Sequence, residues 1–592
     1  MQDNKSSFGK SSLGKNWILR SVSERQIHSL RQHQEISEIL ARLLAIKNID
    51  IDGVESFLNP KLRDLLPDPF HLLGMEEGVL RAMRAIYNKE KICIFGDYDV
   101  DGATSSALLK RFFKDLGIDI EIYIPDRILE GYGPSVQAME KIKNSGTKLI
   151  ITVDCGASSF EALSYAKAIG LDVIVIDHHM MGDKMPEADA VINPNRLDET
   201  TEYRYLAAVG VCFIFIVGLC TRLREAKFFD HLKEPKLMQY LDLVALGTVC
   251  DVMPLTGLNR AFVAQGLKIM SKRENVGLRV LSDMARLNSA PTAYHLGFMI
   301  GPRINAGGRV GKSDLGSRLL STSDQDTAYN IALMLEQYNA ERKEIEQGVL
   351  EEATASAELM PSSSMIMVAG EGWHPGVIGI VAGRLKEKYQ KPVAVIALND
   401  GVGKASCRSV KGVDFGGKVV EAKMRGLLEE GGGHAMAAGF TVKEEHIAEL
   451  KEFFELVMHK EYQAFVQTRS SEYDIEITTS GLTLDLLKEM QQLAPFGSGN
   501  PEPMIRVDDL YVISAQIVGE KHVSCLLAPS RTAYGSKALK AIAFNAVESP
   551  LGGVLLSHKK DKIAIIGHAQ INEWNQTENV QFILSDIIVG VN

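Results

Sequence analysis

The stretch that decides the fold is KICIFGDYDVDG, residues 91–102, in which a short apolar run passes directly into three closely spaced aspartates. A brief, β-rich run of this kind is typical of a buried strand. Asp97, Asp99 and Asp101 then lie at the carboxyl end of that strand, the edge at which open α/β sheets bind their ligands. Because alternate residues of an extended segment point the same way, we expect the three carboxylates to converge. Taken alone, the spacing also fits a solvated turn or a fragment of an EF-hand loop.

Short apolar runs alternate with helical patterns after this stretch, which predicts an α/β fold with a parallel sheet covered by helices on both faces. The runs are KICIF (91–95), IDIEIYI (118–124), KLIITV (148–153) and LDVIVI (171–176). Apolar residues at helical intervals between Asp324 and Met360 predict one long amphipathic helix that connects two lobes. A smaller α/β section follows it, and from Tyr473 onwards short strands predict an OB-like β-barrel.

The length of 592 residues predicts several domains, because a single hydrophobic core stops growing well below it. We expect an N-terminal cap at 1–75, a parallel-sheet catalytic domain at 76–320, a connecting helix at 321–360, a substrate-binding α/β domain at 361–465 and an OB-like nucleic-acid-binding domain at 466–592.

The cysteines and the apolar runs predict a cytoplasmic protein without a membrane segment. The seven cysteines are scattered singly with no CxxC pair, which is typical of buried thiols in a reducing compartment. The N-terminal residues lack the apolar core of a secretory signal. The longest apolar run, Leu206 to Cys220, is shorter than the roughly 20 residues that a membrane-spanning helix needs, so we interpret it as a buried helix.

The net charge of −10 does not by itself favour a nucleic-acid partner, because phosphate binding depends largely on basic side chains. The charge is unevenly distributed, however. Between Arg384 and Arg425 ten Lys and Arg residues stand against four Asp and Glu residues. This segment is either a basic binding surface or an ordinary solvated face.

Further acidic and imidazole side chains follow the other apolar runs: Asp154 in VDCG, His178 and His179 in VIDHH, and Asp251 after LDLVALGTVC. Carboxylates held close together raise one another's pKa unless a cation neutralises them. Carboxylates and imidazoles without a thiolate favour Mn²⁺ or Mg²⁺ over zinc. Two such ions roughly 3.5–4 Å apart can activate a water and stabilise both the attacking and the leaving oxygen of a phosphoryl group. The sequence therefore predicts a two-metal hydrolase.

GDYDVDG, VDCG, VIDHH and TVCDVMPL resemble the four metal-binding motifs of the DHH phosphoesterase superfamily and occur in the same order. The resemblance implies that Asp154 bridges two ions, that Asp97 holds one of them, and that the other is held by Asp99, His178 and Asp251. All of these metal ligands are present in the chain.

The resemblance also implies roles for the residues around the ligands. His179 would face the substrate phosphate, and Asp101 would support the loop or the shell of the first metal. In some relatives a histidine shortly before the first aspartate completes one metal site, whereas this chain has Cys93 and Phe95 nearby. The first site is therefore expected to be weaker or more hydrated.

Later motifs are similar to those of the single-stranded-DNA exonuclease branch of the superfamily: GPRINAGGR (301–309), WHPGVIG (373–379), SCRS (406–409), GGGHAMAAGF (431–440) and PFGSGNPEP (495–503). Glycine runs present amide N–H groups to anionic oxygens, and arginine offers a bidentate fork for phosphate. We therefore expect substrate contacts from Arg303, Asn305, Arg309, Arg408 and His434, with Ser406 and Arg127 as candidates for gripping a terminal 5′-phosphate. For any single arginine, a surface salt bridge is the alternative.

The resemblance implies hydrolysis of single-stranded DNA from the 5′ end, with release of 5′-mononucleotides, in DNA recombination and repair. It also implies a helicase and a single-strand-binding protein as partners, and a monomer. One alternative is a DHH phosphoesterase of short oligonucleotides or cyclic dinucleotides, against which the OB-like C-terminal segment argues. The other is a catalytically silent nucleic-acid-binding relative, which we would expect to have lost metal ligands.

Overall fold

The computed structural model describes residues 11–126, 130–530, 538–557, 561–574 and 577–590 of the chain. The chain divides into two compact units, of which the larger comprises Leu62–Gln467 and the smaller comprises Met1–Lys61 and Thr468–Asn592. The smaller unit therefore consists of an N-terminal and a C-terminal segment of the chain. The five-part division predicted from the sequence is finer than this one and stays a prediction.

A five-stranded parallel sheet lies at the centre of the first part of the larger unit. Its order is Glu121–Tyr123, Ile92–Gly96, Leu149–Val153, Asp172–Ile176 and Ala190–Ile192. Alternate residues fill two apolar cores, since Ile92 and Ile94 pack in one and Cys93 and Phe95 in the other. Strands that are buried on both faces need continuous apolar runs, which explains the sequence pattern. The predicted α/β fold with a parallel sheet is confirmed.

Helices cover this sheet and extend the same part of the unit beyond it: Leu62–Leu65, Met75–Tyr87, Val100–Asp115, Val136–Asn144, Phe160–Ala168, Ala208–Glu225, Leu241–Cys250, Gly257–Met270, Val276–Met284 and Leu315–Ser321. Ala293–His295, Leu296–Ile300 and Gly301–Val310 follow one another without a break, and the middle one is a π-helical turn. Ala208–Glu225 is buried along most of its length, as predicted for that apolar run. Within the described ranges, no helix combines the length and apolarity needed to cross a bilayer.

Gln325–Glu358 is a single helix of 34 residues, which confirms the long connecting helix. Asp324 caps it by accepting a hydrogen bond from the Thr327 N–H at 2.8 Å. A second sheet follows, in the order Glu430–His434, Ala437–Lys443, Val402–Arg408, Val393–Asn399 and Ile366–Glu371, with only the last two strands parallel. Its helices are Ile378–Tyr389, Phe415–Met424 and Ile447–Gln467.

The smaller unit is built around an OB-like sheet of six strands: Ile475–Glu476, Ile505–Val518, His522–Ala528, Leu539–Ala543, Thr577–Val589 and Ile563–Trp574. Leu484–Gln491 and Pro550–Ser557 are its helices. The N-terminal helices Glu24–Gln34, Glu38–Ile46 and Gly53–Leu58 share its apolar core. In addition, Asn16–Leu19 pairs in parallel with Ser470–Tyr473. The first part of the chain thus packs with the last part.

Candidate metal centre and active site

The predicted ligands stand at one edge of the parallel sheet. Asp97, Asp154 and the pair His178–His179 each follow one of three neighbouring central strands. Asp251 ends the helix Leu241–Cys250. Parallel strands bring their carboxyl ends to the same edge, so residues distant in the sequence meet here.

The Nε2 atom of His178 lies among three carboxylates. It is 3.3 Å from Asp154 Oδ1, 3.5 Å from Asp251 Oδ2 and 3.9 Å from Asp101 Oδ2. Three overlapping sets place their potential ligand atoms within 4.8 Å of one another: Asp97, Asp99 and Asp154; Asp101, His178 and Asp251; and Asp154, His178 and His179. The structure therefore brings together all five ligands expected from the sequence.

Atoms of this cluster fit a bound cation. Asp154 Oδ1, His178 Nε2 and Asp251 Oδ2 are buried and have no hydrogen-bond partner among the described residues, which costs roughly 1–3 kcal/mol for each such atom. Burial and neighbouring carboxylates raise the pKa of Asp154 well above its usual range and that of Asp251 to about 7. Burial lowers the pKa of His178 to about 4, so its imidazole is neutral, the form that metals bind. This donor set suits Mn²⁺ or Mg²⁺.

Asp99 and Asp101 each fix the start of a helix. Asp99 caps the helix that it precedes and accepts a hydrogen bond from the Gly102 N–H at 3.0 Å. Asp101 is buried, and its two oxygens accept from the N–H groups of Ala208 at 2.7 Å and Val209 at 2.9 Å. These bonds attach residues 97–102, called the metal loop below, to the buried helix Ala208–Glu225, and they fit the supporting role expected for Asp101.

Asp177 orients His179, a role that the sequence interpretation did not assign. Its Oδ1 atom lies 2.8 Å from His179 Nδ1 and also accepts from the backbone N–H groups of His178 and His179. Its Oδ2 atom accepts from the Ala157 N–H at 3.0 Å. The Asp177 hydrogen bond raises the pKa of His179 to about 9, so the half-exposed imidazole is charged at neutral pH.

Two further residues that the sequence interpretation missed hold the backbone of the histidine pair. Asn193 Nδ2 donates to the His179 carbonyl at 2.9 Å, and Asn195 Nδ2 donates to the His178 carbonyl at 2.6 Å. Both asparagines follow the edge strand Ala190–Ile192. The rule that polar residues gather at the carboxyl ends of parallel strands would have found them, had this short strand been recognised.

The backbone at the cluster adopts conformations that are rare for residues other than glycine. Asp154 and Val252 have φ angles of 59° and 60°, and such conformations concentrate at functional sites. Gly102 is required for a different reason, because a Cβ atom there would lie 2.4 Å from the carbonyl oxygen of Asp97. The metal loop can therefore close only with glycine at this position.

Cys93 and Phe95, near the position of the additional histidine in some relatives, are buried in the apolar core below the sheet. Burial raises the pKa of the Cys93 thiol to about 12, so the thiol stays protonated at neutral pH and is a poor metal ligand. This arrangement fits the expectation of a first site with fewer protein ligands.

The helix Gly301–Val310 carries three predicted substrate contacts. Arg303 is held by Glu336, with 2.5 Å between Nε and Oε2, so its guanidinium already has an acidic partner. Arg309 donates to the carbonyl of Gly376 at 2.7 Å and thereby links this helix to the WHPGVIG loop. Asn305 is partly buried on the same helix. A direct contact of each with substrate stays a prediction.

The remaining predicted contacts gather on the second sheet. Arg408 pairs with Ala437, which in turn pairs with His434, and directly opposed residues share one face. Arg408 also donates to the hydroxyl of Ser406 at 3.3 Å and to the carbonyl of Cys407 at 2.8 Å. No carboxylate of the described residues forms an ion pair with Arg408, and burial lowers its pKa. Arg127 lies outside the described residues.

The parallel sheet with its acidic edge, followed by a smaller lobe, fits the DHH phosphoesterase class, to which the domain matches assign the chain. Residues 91–248 match the DHH family, N-terminal domain, residues 362–460 match the DHHA1 domain, and residues 473–586 match the RecJ OB domain.

Comparison with individual proteins identifies the family within this class. The single-stranded-DNA-specific exonuclease RecJ of Bacillus subtilis (strain 168) is 32% identical over 585 residues, which cover 97% of this chain and 71% of that protein. RecJ of Haemophilus influenzae is 34% identical over 550 residues, with coverages of 90% and 93%. The crystal structure of RecJ from Thermus thermophilus in complex with Mn²⁺ matches with a TM-score of 0.79 at 28% identity, over 97% of this chain and 79% of that one. The chain belongs to the RecJ family.

Proposed function

We propose that this chain is a metal-dependent exonuclease that hydrolyses single-stranded DNA from the 5′ end, releases 5′-mononucleotides and acts in DNA recombination and repair. The observation that carries the proposal is the convergence of Asp154, His178 and Asp251 through buried atoms that lack partners among the described residues. The family supports the substrate, since its curated members are named single-stranded-DNA-specific exonucleases.

The chain depends on a divalent metal, and we infer that it uses two Mn²⁺ or Mg²⁺ ions. RecJ of Thermus thermophilus forms complexes with both metals. Asp97 would hold one ion and Asp99, His178 and Asp251 the other, with Asp154 between them. When bound, the ions make a nucleophile available from water and neutralise charge on the attacking and leaving oxygens.

His179 supplies a fixed positive charge beside the ligands. Asp177 keeps its ring protonated at neutral pH, and its Nδ1 atom lies 3.9 Å from Asp154 Oδ1. Because Nδ1 of His179 is hydrogen-bonded to Asp177, Nε2 of His179 is the nitrogen that can donate to a phosphoryl oxygen. A donor that is already oriented stabilises the charge that develops there without further reorganisation.

The second sheet binds the phosphates of the strand. Arg408, Ser406 and His434 lie together, and Arg408 carries a charge that no carboxylate of the described residues neutralises. A guanidinium without an acidic partner can donate two parallel hydrogen bonds to one phosphate. We assign the terminal 5′-phosphate to Ser406 and Arg408, and adjoining phosphates to Asn305 and Arg309. The OB-like strands hold bases further along by stacking and basic groups.

Cytoplasmic action, a monomeric state and partnership with a helicase and a single-strand-binding protein stay predictions. So do the substrate contacts of Arg303 and Arg127. The two alternative functions are less well supported, because the RecJ OB domain matches residues 473–586 and the metal ligands are all in place.

The test is digestion of a long single-stranded DNA, labelled in separate samples at the 5′ and the 3′ end, with Mn²⁺, Mg²⁺ or EDTA. We expect early release of a 5′-labelled mononucleotide that requires metal and that the Asp154→Asn variant abolishes. Asp230→Asn, which changes an exposed aspartate of the same unit, is the matched control and should digest the strand normally.

Two other outcomes would favour the alternatives. A wild-type protein that binds the strand but leaves it intact with every metal would support the silent relative. Faster hydrolysis of a dinucleotide than of the long strand would support a phosphoesterase of short oligonucleotides.

A further inference from the structure

Tyr294 and Phe298 form an exposed aromatic pair just before the helix Gly301–Val310. Tyr294 is 63% exposed and Phe298 is 71% exposed. Their ring centroids are 5.0 Å apart with an angle of 29° between the planes, so the rings are stacked. Large apolar groups that are grouped on a surface commonly mark a binding site.

The opposite side of this helical stretch is anchored next to the metal centre. Leu296 and Ile300 are buried in the core. The carbonyl of Leu296 accepts a hydrogen bond from the Cys250 thiol at 3.4 Å, and Cys250 immediately precedes Asp251. The aromatic pair therefore stands on a support that is packed against the helix of a predicted metal ligand.

The pair also continues the line of predicted phosphate contacts. Asn305 and Arg309 lie on the helix Gly301–Val310, which continues from the π-helical turn of Phe298 without a break, and both are partly exposed. Gly308 lies against the metal loop, since a Cβ atom there would be 3.0 Å from the carbonyl oxygen of Tyr98. The ten residues from Phe298 to Gly308 correspond to roughly 15 Å of helix, a distance of a few nucleotides.

We propose that Tyr294 and Phe298 are a stacking platform for the nucleobases of the single strand, a few nucleotides from the scissile phosphate. The inference rests on the proposed function and adds a contact with bases to the contacts with phosphates. Every base has an aromatic face, so the platform increases affinity without selecting a sequence. Loss of stacking on one base weakens binding by about tenfold or more.

Binding is measured first, in EDTA, with single strands that carry one 2-aminopurine at successive positions from the 5′ end. We expect the wild type to quench the fluorescence of one or two neighbouring positions, and the Tyr294→Ala/Phe298→Ala variant to lose that quenching. The Tyr294→Phe/Phe298→Tyr variant, which keeps both rings, should retain it. Tyr329→Ala removes another exposed tyrosine, 53% exposed on the connecting helix, and is the matched control.

Kinetics then separate stacking from a structural role. On an ordinary strand with Mn²⁺, the double alanine variant should raise KM about tenfold and leave kcat nearly unchanged. On a strand with abasic sites at the quenched positions, the wild type and the variant should have the same KM.

An unchanged KM and unchanged quenching in the double alanine variant would overturn the platform, as would an equal rise of KM on both strands. If the wild type quenches 2-aminopurine but cleaves nothing, the proposed exonuclease function fails while the platform stands.

Discussion

The Oδ1 atom of Asp177 lies 2.8 Å from Nδ1 of His179, and this buried carboxylate also accepts three backbone N–H groups. The hydrogen bonds lower the pKa of Asp177 although burial opposes this, so the carboxylate stays ionised. An ionised Asp177 both orients the imidazole and keeps it charged. The positive charge beside the predicted metal ligands therefore comes from the VIDHH segment itself.

Asp177→Asn should lower kcat about 10- to 100-fold, because an amide cannot hold the imidazolium as a carboxylate does. Mn²⁺ affinity should change little, since Asp177 is outside the three sets of potential ligand atoms. Steady-state kinetics on single-stranded DNA and a Mn²⁺ titration measure the two quantities. Asp189→Asn is the control, because Asp189 also accepts a backbone N–H, from Val173, beside the same strand. Full activity of Asp177→Asn would refute this role.

Asp101→Ala should destabilise the metal-free protein by about 2 kcal/mol, since two N–H groups at a buried helix start lose their acceptor. Thermal unfolding in EDTA measures the effect as a lower Tm. Asp99→Ala is the comparison variant. Asp99 caps its helix through one hydrogen bond only, so this substitution should lower the stability by a smaller amount. Equal Tm values for Asp101→Ala and wild type would mean that this attachment does not stabilise the fold.

The candidate metal ligands could be predicted because one rule of α/β sheets places them. Asp97, Asp154 and His178 each follow an apolar run, and parallel strands must end at one edge. The supporting residues obey no such rule. Asn193 and Asn195 act through backbone carbonyls of the histidine pair, and these hydrogen bonds depend on how the edge strand packs.

Contacts between distant parts of the chain could not be predicted from the sequence either. Arg303 and its partner Glu336 lie on different helices, and nothing in either helix indicates which faces meet. The side chain of Arg42 donates to the carbonyl of Asp474 at 2.8 Å, across more than four hundred residues. The sequence predicts an N-terminal cap at residues 1–75, but nothing in it indicates that helices of this segment share an apolar core with the OB-like strands.

Asp251→Asn should raise the Tm of the protein in EDTA while it abolishes the response to metal. Burial and Asp99 raise the pKa of Asp251 to about 7, so the fold without metal disfavours the charged carboxylate and a neutral amide relieves that cost. Mn²⁺ should raise the Tm of the wild type, because a ligand that binds only the folded state stabilises it. Thermal unfolding with EDTA and with Mn²⁺ gives both values. A wild-type Tm that Mn²⁺ leaves unchanged would argue against a metal at this cluster.

Asp242→Asn should remove part of the pH dependence of stability. Asp242 is 3% exposed and accepts the Leu243 N–H at 2.8 Å, and burial raises its pKa from 3.8 to about 6 although Arg111 opposes the shift. A carboxyl group whose pKa is raised in the folded state destabilises the folded state when the group ionises. Stability is therefore lost as pH rises from about 4 to 6, by about 3 kcal/mol at most. The amide keeps an acceptor for Leu243 and cannot ionise.

Thermal unfolding between pH 4 and pH 8 in EDTA, on wild type and Asp242→Asn together, measures this effect. Other carboxylates titrate equally in both proteins, so the difference in Tm isolates Asp242. We expect the two Tm values to agree near pH 4 and the variant to unfold at a higher temperature above pH 6. A constant difference across the whole range would show instead that the substitution acts through packing, because packing does not depend on the ionisation of this carboxyl group.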